Sequence, residues 1–139
     1  MSEKTLYSVA QYTRHVHARV HVRPYELKSP LQNDISGKFV TDKMPEDDHY
    51  RVELELTFNA LAKEDLLCFE ASCCVEAIVV AKGFTDEELA QVLTHNIGGL
   101  LVGNIRAAIA TASMSTGYGP IHLPPITTDQ LTALLAKSS

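Results

Sequence analysis

The sequence predicts an α+β fold: a four-stranded antiparallel sheet, one of its strands short, followed by a long helix and a short C-terminal helix. Three observations carry this. Apolar and polar residues alternate with period two over residues 12–23, 50–61 and 66–80. Helical spacing of apolar residues takes over from residue 85. Strands therefore come first and helices last, the segregated order of an α+β domain. At 139 residues, 45% apolar and 21% charged, the chain is expected to form one domain, 1–139, with a core that needs no disulfide or structural metal.

In residues 12–23, Val16, Ala18, Val20 and Val22 share one face, and His15, His17, Arg19, His21 and Arg23 share the other. This is the pattern of a half-buried antiparallel strand, ended by Pro24. Residues 24–49 form a polar middle with Pro24, Pro30, Gly37, Pro45 and the acidic run Glu46-Asp47-Asp48. A short strand over Ile35 to Val40 is expected within it, weakened by Gly37.

Tyr50, Val52, Leu54, Leu56 and Phe58 then alternate with Arg51, Glu53, Glu55, Thr57 and Asn59. Ala62 to Asp65 makes a polar turn, and Leu66 to Val80 returns as the second arm of a hairpin. That arm is apolar through Leu67, Phe69, Ala71, Cys73, Val75, Ala77 and Val79, and apolar in part on its other row. Both its faces must be covered, and a second copy of the chain is expected to supply one cover.

Thr85-Asp86-Glu87-Glu88 is a capping-box start. Apolar positions at 89, 92, 93, 97, 100, 101, 105, 108 and 109 continue the helix past Gly98, Gly99 and Gly103, which predict a bend or a close helix–helix approach. Gly117 to Pro125 is a loop. Thr127 or Thr128 caps the last helix, Asp129 to Ala136.

Composition excludes several functions. A net charge of -5 with only 12 Lys and Arg argues against nucleic-acid binding, which needs clustered cations. No apolar run is long enough for a membrane insertion, and no leader peptide is visible. Cys68, Cys73 and Cys74 are odd in number and form no CxxC, so they are expected as buried thiols in a reducing, cytoplasmic setting.

The strand histidines have a metal-ligand spacing, but the sequence marks no further ligand and Arg19 and Arg23 share the face. The expectation is a solvated, weakly basic face, with no metal and no cofactor. A catalytic pairing of Cys and His95 is not expected. Outward positions on the hairpin account for Glu53, Glu55, Glu70 and Glu76 without acid–base chemistry. Gly-Tyr-Gly-Pro lacks the Lys-Ser/Thr of a phosphate loop. The chain is not expected to be an enzyme.

The last third is more specific. Asn-Ile-Gly-Gly-Leu-Leu-Val-Gly-Asn-Ile-Arg-Ala-Ala-Ile leads into Ser-Thr-Gly-Tyr-Gly-Pro-Ile-His-Leu-Pro-Pro-Ile and a Leu-rich helix. This resembles the SecB family of protein-export chaperones through Leu101, Arg106, Gly117, Tyr118, Leu123, Pro125 and Leu131. The hairpin Tyr50 to Val80 matches in order and length.

The resemblance implies an ATP-independent holdase for unfolded or precursor proteins, assembled as a homotetramer, a dimer of dimers. It implies client binding at Phe39, Val40 and Met44 with Leu131, Leu134 and Leu135. It implies an oligomer interface at Phe69, Ala71 and Cys73, and a contact of Glu70 with the motor ATPase SecA. Arg and His on the first strand, and no acidic run after Ala136, depart from the family and leave SecA as a partner open. The alternatives are a SecB-like chaperone for a dedicated partner such as a toxin–antitoxin pair, and a hot-dog-type acyl-thioester enzyme. In the latter fold the helix precedes most of the strands.

Overall fold

The computed structural model describes residues 3–124, 126–127 and 129–133. Four strands, β1 (Thr5–Val20), β2 (Gln32–Lys43), β3 (His49–Leu61) and β4 (Leu67–Lys82), form one antiparallel sheet in the order β1-β4-β3-β2. The period-two pattern sorts side chains onto its two faces. Val52, Leu54, Leu56, Phe58 and Ala60 of β3 point inward with Phe69, Ala71, Cys73, Val75, Ala77 and Val79 of β4, and all are buried.

The long helix covers this inner face. It runs without a break through 28 residues, α-helical over Asp86–Val92, one π turn over Leu93–Ile97, and α-helical again over Gly98–Ser113. Thr85 accepts from the Glu88 backbone N–H at 3.2 Å, and the Glu88 carboxylate accepts from the Thr85 N–H at 3.0 Å, so the expected capping box forms. Leu93, Ile97, Leu101, Ile105 and Ile109 recur at helical spacing and close the core against the sheet.

After the helix the chain folds back across its end. Ser113 Oγ donates to the Ile109 carbonyl at 2.7 Å and accepts from the Ile121 N–H at 2.8 Å. Arg106 Nε donates to the Leu123 carbonyl at 2.9 Å. The Tyr118 ring stacks on Phe69 with centroids 5.0 Å apart. Gly117 makes the turn with φ +86, and a Cβ there would lie 2.9 Å from Pro24 Cγ. Thr127 caps the last described helical residues, 129–133, through reciprocal bonds with Gln130 at 2.9 and 3.1 Å.

Two expectations are corrected. β2 is not short: it pairs with β3 from Gln32↔Leu61 to Lys43↔Tyr50, and this continuous register outweighs the propensity lost at Gly37. β1 begins seven residues earlier than the alternation suggests and ends at Val20. Register shifts between Ser8 and Ala10 and between Thr13 and His15 break the period and conceal its first half.

The second cover of β4 also comes from within the chain. Cys68, Cys74 and Val80 on the outer face are buried beneath side chains of the flanking strands.

Thr85→Ala should cost about 1 kcal/mol by orphaning the helix start. Gly117→Ala should cost about 1–2 kcal/mol, because an alanine must enter the left-handed region there. Denaturant unfolding with unchanged slope checks both; an unchanged midpoint would contradict the respective assignment.

Candidate functional site

β2 is an edge strand, so among the described residues one row of its backbone groups has no strand beside it. Register places Ile35, Phe39 and Thr41 on the inner, helix side, opposite Phe58, Leu54 and Val52. The first turns of the helix lie beside this edge. Between them is a cleft of about 230 Å³ lined by Thr41, Asp42, Lys43, Tyr50, Asp86, Leu89, Ala90 and Leu93.

Phe39 lies two residues along the same face of β2. A Cβ on Gly98 would stand 3.2 Å from Leu131 Cδ2 and 3.6 Å from Phe39 Cε2. The absent side chain at Gly98 therefore lets β2, the long helix and the C-terminal segment meet. The cleft offers apolar contact from Tyr50, Leu89 and Leu93, one lysine, the carboxylates of Asp42 and Asp86 at its rim, and an open strand edge, which is the equipment of a binding surface for an extended chain.

The structure brings together some of the residues implicated by the resemblance and separates others. Phe39 and Leu131 converge on Gly98, with Leu131 1% exposed as part of the core. Val40 lies on the opposite face of β2, paired with Glu53. Met44 follows the end of β2, where its N–H donates to the His49 carbonyl at 3.0 Å. Leu134 and Leu135 lie outside the described residues.

Phe69, Ala71 and Cys73 are all fully buried in the inner layer of the chain's own core. Leu89, Leu93 and Tyr50 were not singled out from sequence, although Leu89 and Leu93 are spaced four apart on the helix. Their role depends on the full length of β2, which the sequence pattern understates.

The outer face is a ladder of charge pairs rather than a free basic surface. Arg14 reaches Glu53 at 3.3 Å, His15 Nε2 reaches Glu55 at 2.9 Å, and Glu70 takes His21 at 3.1 Å and Arg19 at 3.9 Å. Arg51 donates to Glu53 at 2.5 Å, to Glu76 at 2.7 Å, and to Asp42. Tyr12 also donates to Glu76.

Glu76 is 5% exposed. Its burial pushes the carboxyl up, but the hydrogen bonds from Tyr12 and Arg51 outweigh this and hold it below the ordinary Glu range. The balance is the same at Glu53, where burial is outweighed by Cys74, Arg51 and Arg14. Contacts with Glu76, Asp42 and Glu53 push Arg51 up.

Comparison with known proteins adds the following. The sequence model of the SecB family, described as preprotein translocase subunit SecB, matches residues 4–136. The protein-export protein SecB of Magnetococcus marinus is 27% identical over 81 residues, or 58% of this chain. The match covers 52% of that protein, so the chain spans about half the length of the curated relative it matches.

Among solved structures, the Mycobacterium tuberculosis Rv1957 SecB-like chaperone, in complex with a ChAD peptide from the Rv1956 HigA1 antitoxin, superposes with a TM-score of 0.72. The match covers 88% of this chain and 91% of that one at 16% identity, which makes it a likeness of fold.

The charge ladder yields a pH prediction. A carboxylate with a lowered folded-state value adds stability that is fully present above the ordinary Glu value of 4.5 and lost as pH falls through the lower folded value. Unfolding free energy should therefore decline in acid below that range, and decline less steeply in Glu76→Gln. At neutral pH, Arg51→Ala should cost about 2–4 kcal/mol by leaving Glu76 short of its partner. Denaturant titrations across pH check both; equal acid slopes for wild type and Glu76→Gln would contradict the assignment.

Proposed function

The chain belongs to the SecB family, and from that premise we propose that it is an ATP-independent holdase that binds unfolded or precursor polypeptides in the cleft beside β2. The observation that carries this is the open edge of β2 next to a cleft with an apolar floor of Tyr50, Leu89 and Leu93 and a charged rim of Asp42, Lys43 and Asp86. An extended client can add its backbone to the strand edge while alternate side chains drop toward Phe39, Leu89 and Leu93. Only unfolded chains offer such segments, so selection against folded proteins needs no sequence code. Each large side chain buried contributes up to about 1.5–3 kcal/mol.

The sequence holds no phosphate loop, so release follows from client folding or transfer rather than nucleotide turnover. The family's role is not enzymatic. A cytoplasmic site of action fits this role, and no helix among the described residues is long and apolar enough to cross a membrane. Glu70 already serves His21 and Arg19, which supports weak engagement of SecA, since a paired carboxylate offers less to a basic partner. A second reading, a chaperone dedicated to one partner such as an antitoxin, is favoured by the peptide bound to the Mycobacterium tuberculosis chaperone.

A homotetramer built from dimers is part of the same proposal. Tyr7, Val9, Val16 and Val20 of β1 are 38–55% exposed, as is Leu100 of the helix at 49%. Gly99 and Gly103 face open space. Val16 and the helix residues Ala107, Ala108, Thr111 and Ala112 line an apolar hollow of about 450 Å³. Apolar surface on this scale marks an interaction face. Four chains sharing a client would gain by avidity what each cleft lacks in affinity.

Phe39→Thr should raise severalfold the chaperone-to-client ratio needed to suppress aggregation of a denatured protein without ATP. Val40→Thr, on the opposite face, should not. Equal effects of the two would overturn the cleft assignment. Light scattering should show four chains per particle, with Val16→Lys and Leu100→Glu reducing that number; a stable wild-type monomer at micromolar concentration would refute the assembly.

A further inference from the structure

On the outer face, one transverse row of the sheet runs His15, Cys74, Glu55, from β1 through β4 to β3. His15 pairs with Cys74, and Cys74 pairs with Glu55. Directly opposed residues on adjacent antiparallel strands are the closest cross-strand neighbours. The register shift between Thr13 and His15 creates this row: Thr13 faces Val75, and without the extra residue Arg14 would face Cys74. Bulges commonly re-aim a side chain in this way. A ring nitrogen of His15, Sγ of Cys74 and a carboxylate oxygen of Glu55 all lie within 4.8 Å of one another, with His15 Nε2 2.9 Å from Glu55 Oε2.

We propose that His15, Cys74 and Glu55 form a binding site for a divalent transition-metal ion of borderline softness, represented by Zn²⁺. One nitrogen, one thiolate and one carboxylate suit Zn²⁺ and Co²⁺, whereas Mg²⁺ and Ca²⁺ favour all-oxygen sets. With metal–ligand bonds of about 2.0–2.3 Å, tetrahedral donors stand roughly 3.3–3.6 Å apart. The observed donors, 2.9 Å apart for His15 and Glu55 and within 4.8 Å for all pairs, can reach this spacing by rotation of the His15 and Glu55 side chains, neither of which is buried.

Three protein ligands leave a fourth position on the solvent side, open to water or to a side chain of a bound polypeptide. Glu53 lies beside the site. In the metal-free chain it accepts from the Cys74 thiol at 3.3 Å, a hydrogen bond given up when the thiolate takes the ion, and it is itself held by Arg51 and Arg14, so the nearby guanidinium groups are engaged with a carboxylate.

The surroundings of Cys74 are otherwise unfavourable for a thiolate. Burial, the hydrogen bond to Glu53 and the charges of Glu53 and Glu55 push its thiol up to about 12. A divalent cation replaces the thiol proton and turns the same carboxylates into favourable neighbours. The ion would tie β1, which has no fully buried residue, to the two strands at the centre of the sheet.

The reduced full chain, titrated anaerobically with Co²⁺, tests the proposal. A thiolate-to-cobalt charge-transfer band should saturate at one ion per chain, and Zn²⁺ should abolish it. Cys74→Ser should eliminate the band, and His15→Ala or Glu55→Gln should weaken binding at least tenfold. Cys68→Ser should leave it intact. His15 and Glu55 are not buried, so their variants keep the test valid if Cys74→Ser folds poorly. Absence of a saturable band, a band that follows Cys68, or a band untouched by both His15→Ala and Glu55→Gln would overturn the site.

Discussion

Burial of β4 on both faces is the constraint on which the rest of the structure depends. β4 is hydrogen-bonded to β1 on one side and β3 on the other, and nearly every residue from Cys68 to Ala81 is buried or half-buried. Its inner row meets the long helix, where apolar contact suffices. Among the described residues its outer row faces no second layer, so Cys74, Glu76 and Val80 are shielded by the side chains of β1 and β3. A glutamate at 5% exposure is tolerable only because Arg51 and Tyr12 satisfy it. The charged pattern of the outer face is thus a consequence of β4 needing polar cover that is itself neutralised.

The same constraint divides the molecule into a rigid centre and open margins. With β4 and β3 in the middle, β2 is left as an edge strand and β1 as the opposite edge with its apolar side chains exposed. The two margins differ. Beside β2 the helix and the C-terminal segment make a cleft with Leu131, Phe39 and Gly98 at its inner end. Beside β1 the surface is flatter and continues onto the exposed flank of the helix through Val16 and Ala107. In the proposed function an extended client takes the first margin and another copy of the chain takes the second, so that assembly and client binding would not compete for surface.

Local patterns in the sequence made much of this legible. The first arm of the hairpin alternates without interruption from Tyr50 to Asn59 because its inner row enters the apolar core. Thr85 and Glu88 announce the helix start because capping uses side chains three residues apart. β1 was half concealed, since the two register shifts put Gln11 and Thr13 on the inner face, out of phase with Val16 and Val20.

β2 was shortened because Gly37 suggests a break that cross-strand pairing overrides. Tertiary neighbours were the least legible. That His15 meets Glu55 across Cys74 depends on two registers at once, His15 with Cys74 about 60 residues away and Cys74 with Glu55 about 20 residues away. That Phe39 and Val40 serve different faces follows from the strand period once β2 is known to be regular.

Amide hydrogen exchange, with and without an unfolded client, tests the central claim most directly. Binding along the open edge predicts slower exchange in β2 and in the helix around Leu89 and Leu93, with β3 and β4 already protected in both states. Protection that appears on β1 while β2 is unchanged would contradict the account, because the client would then occupy the margin assigned to assembly.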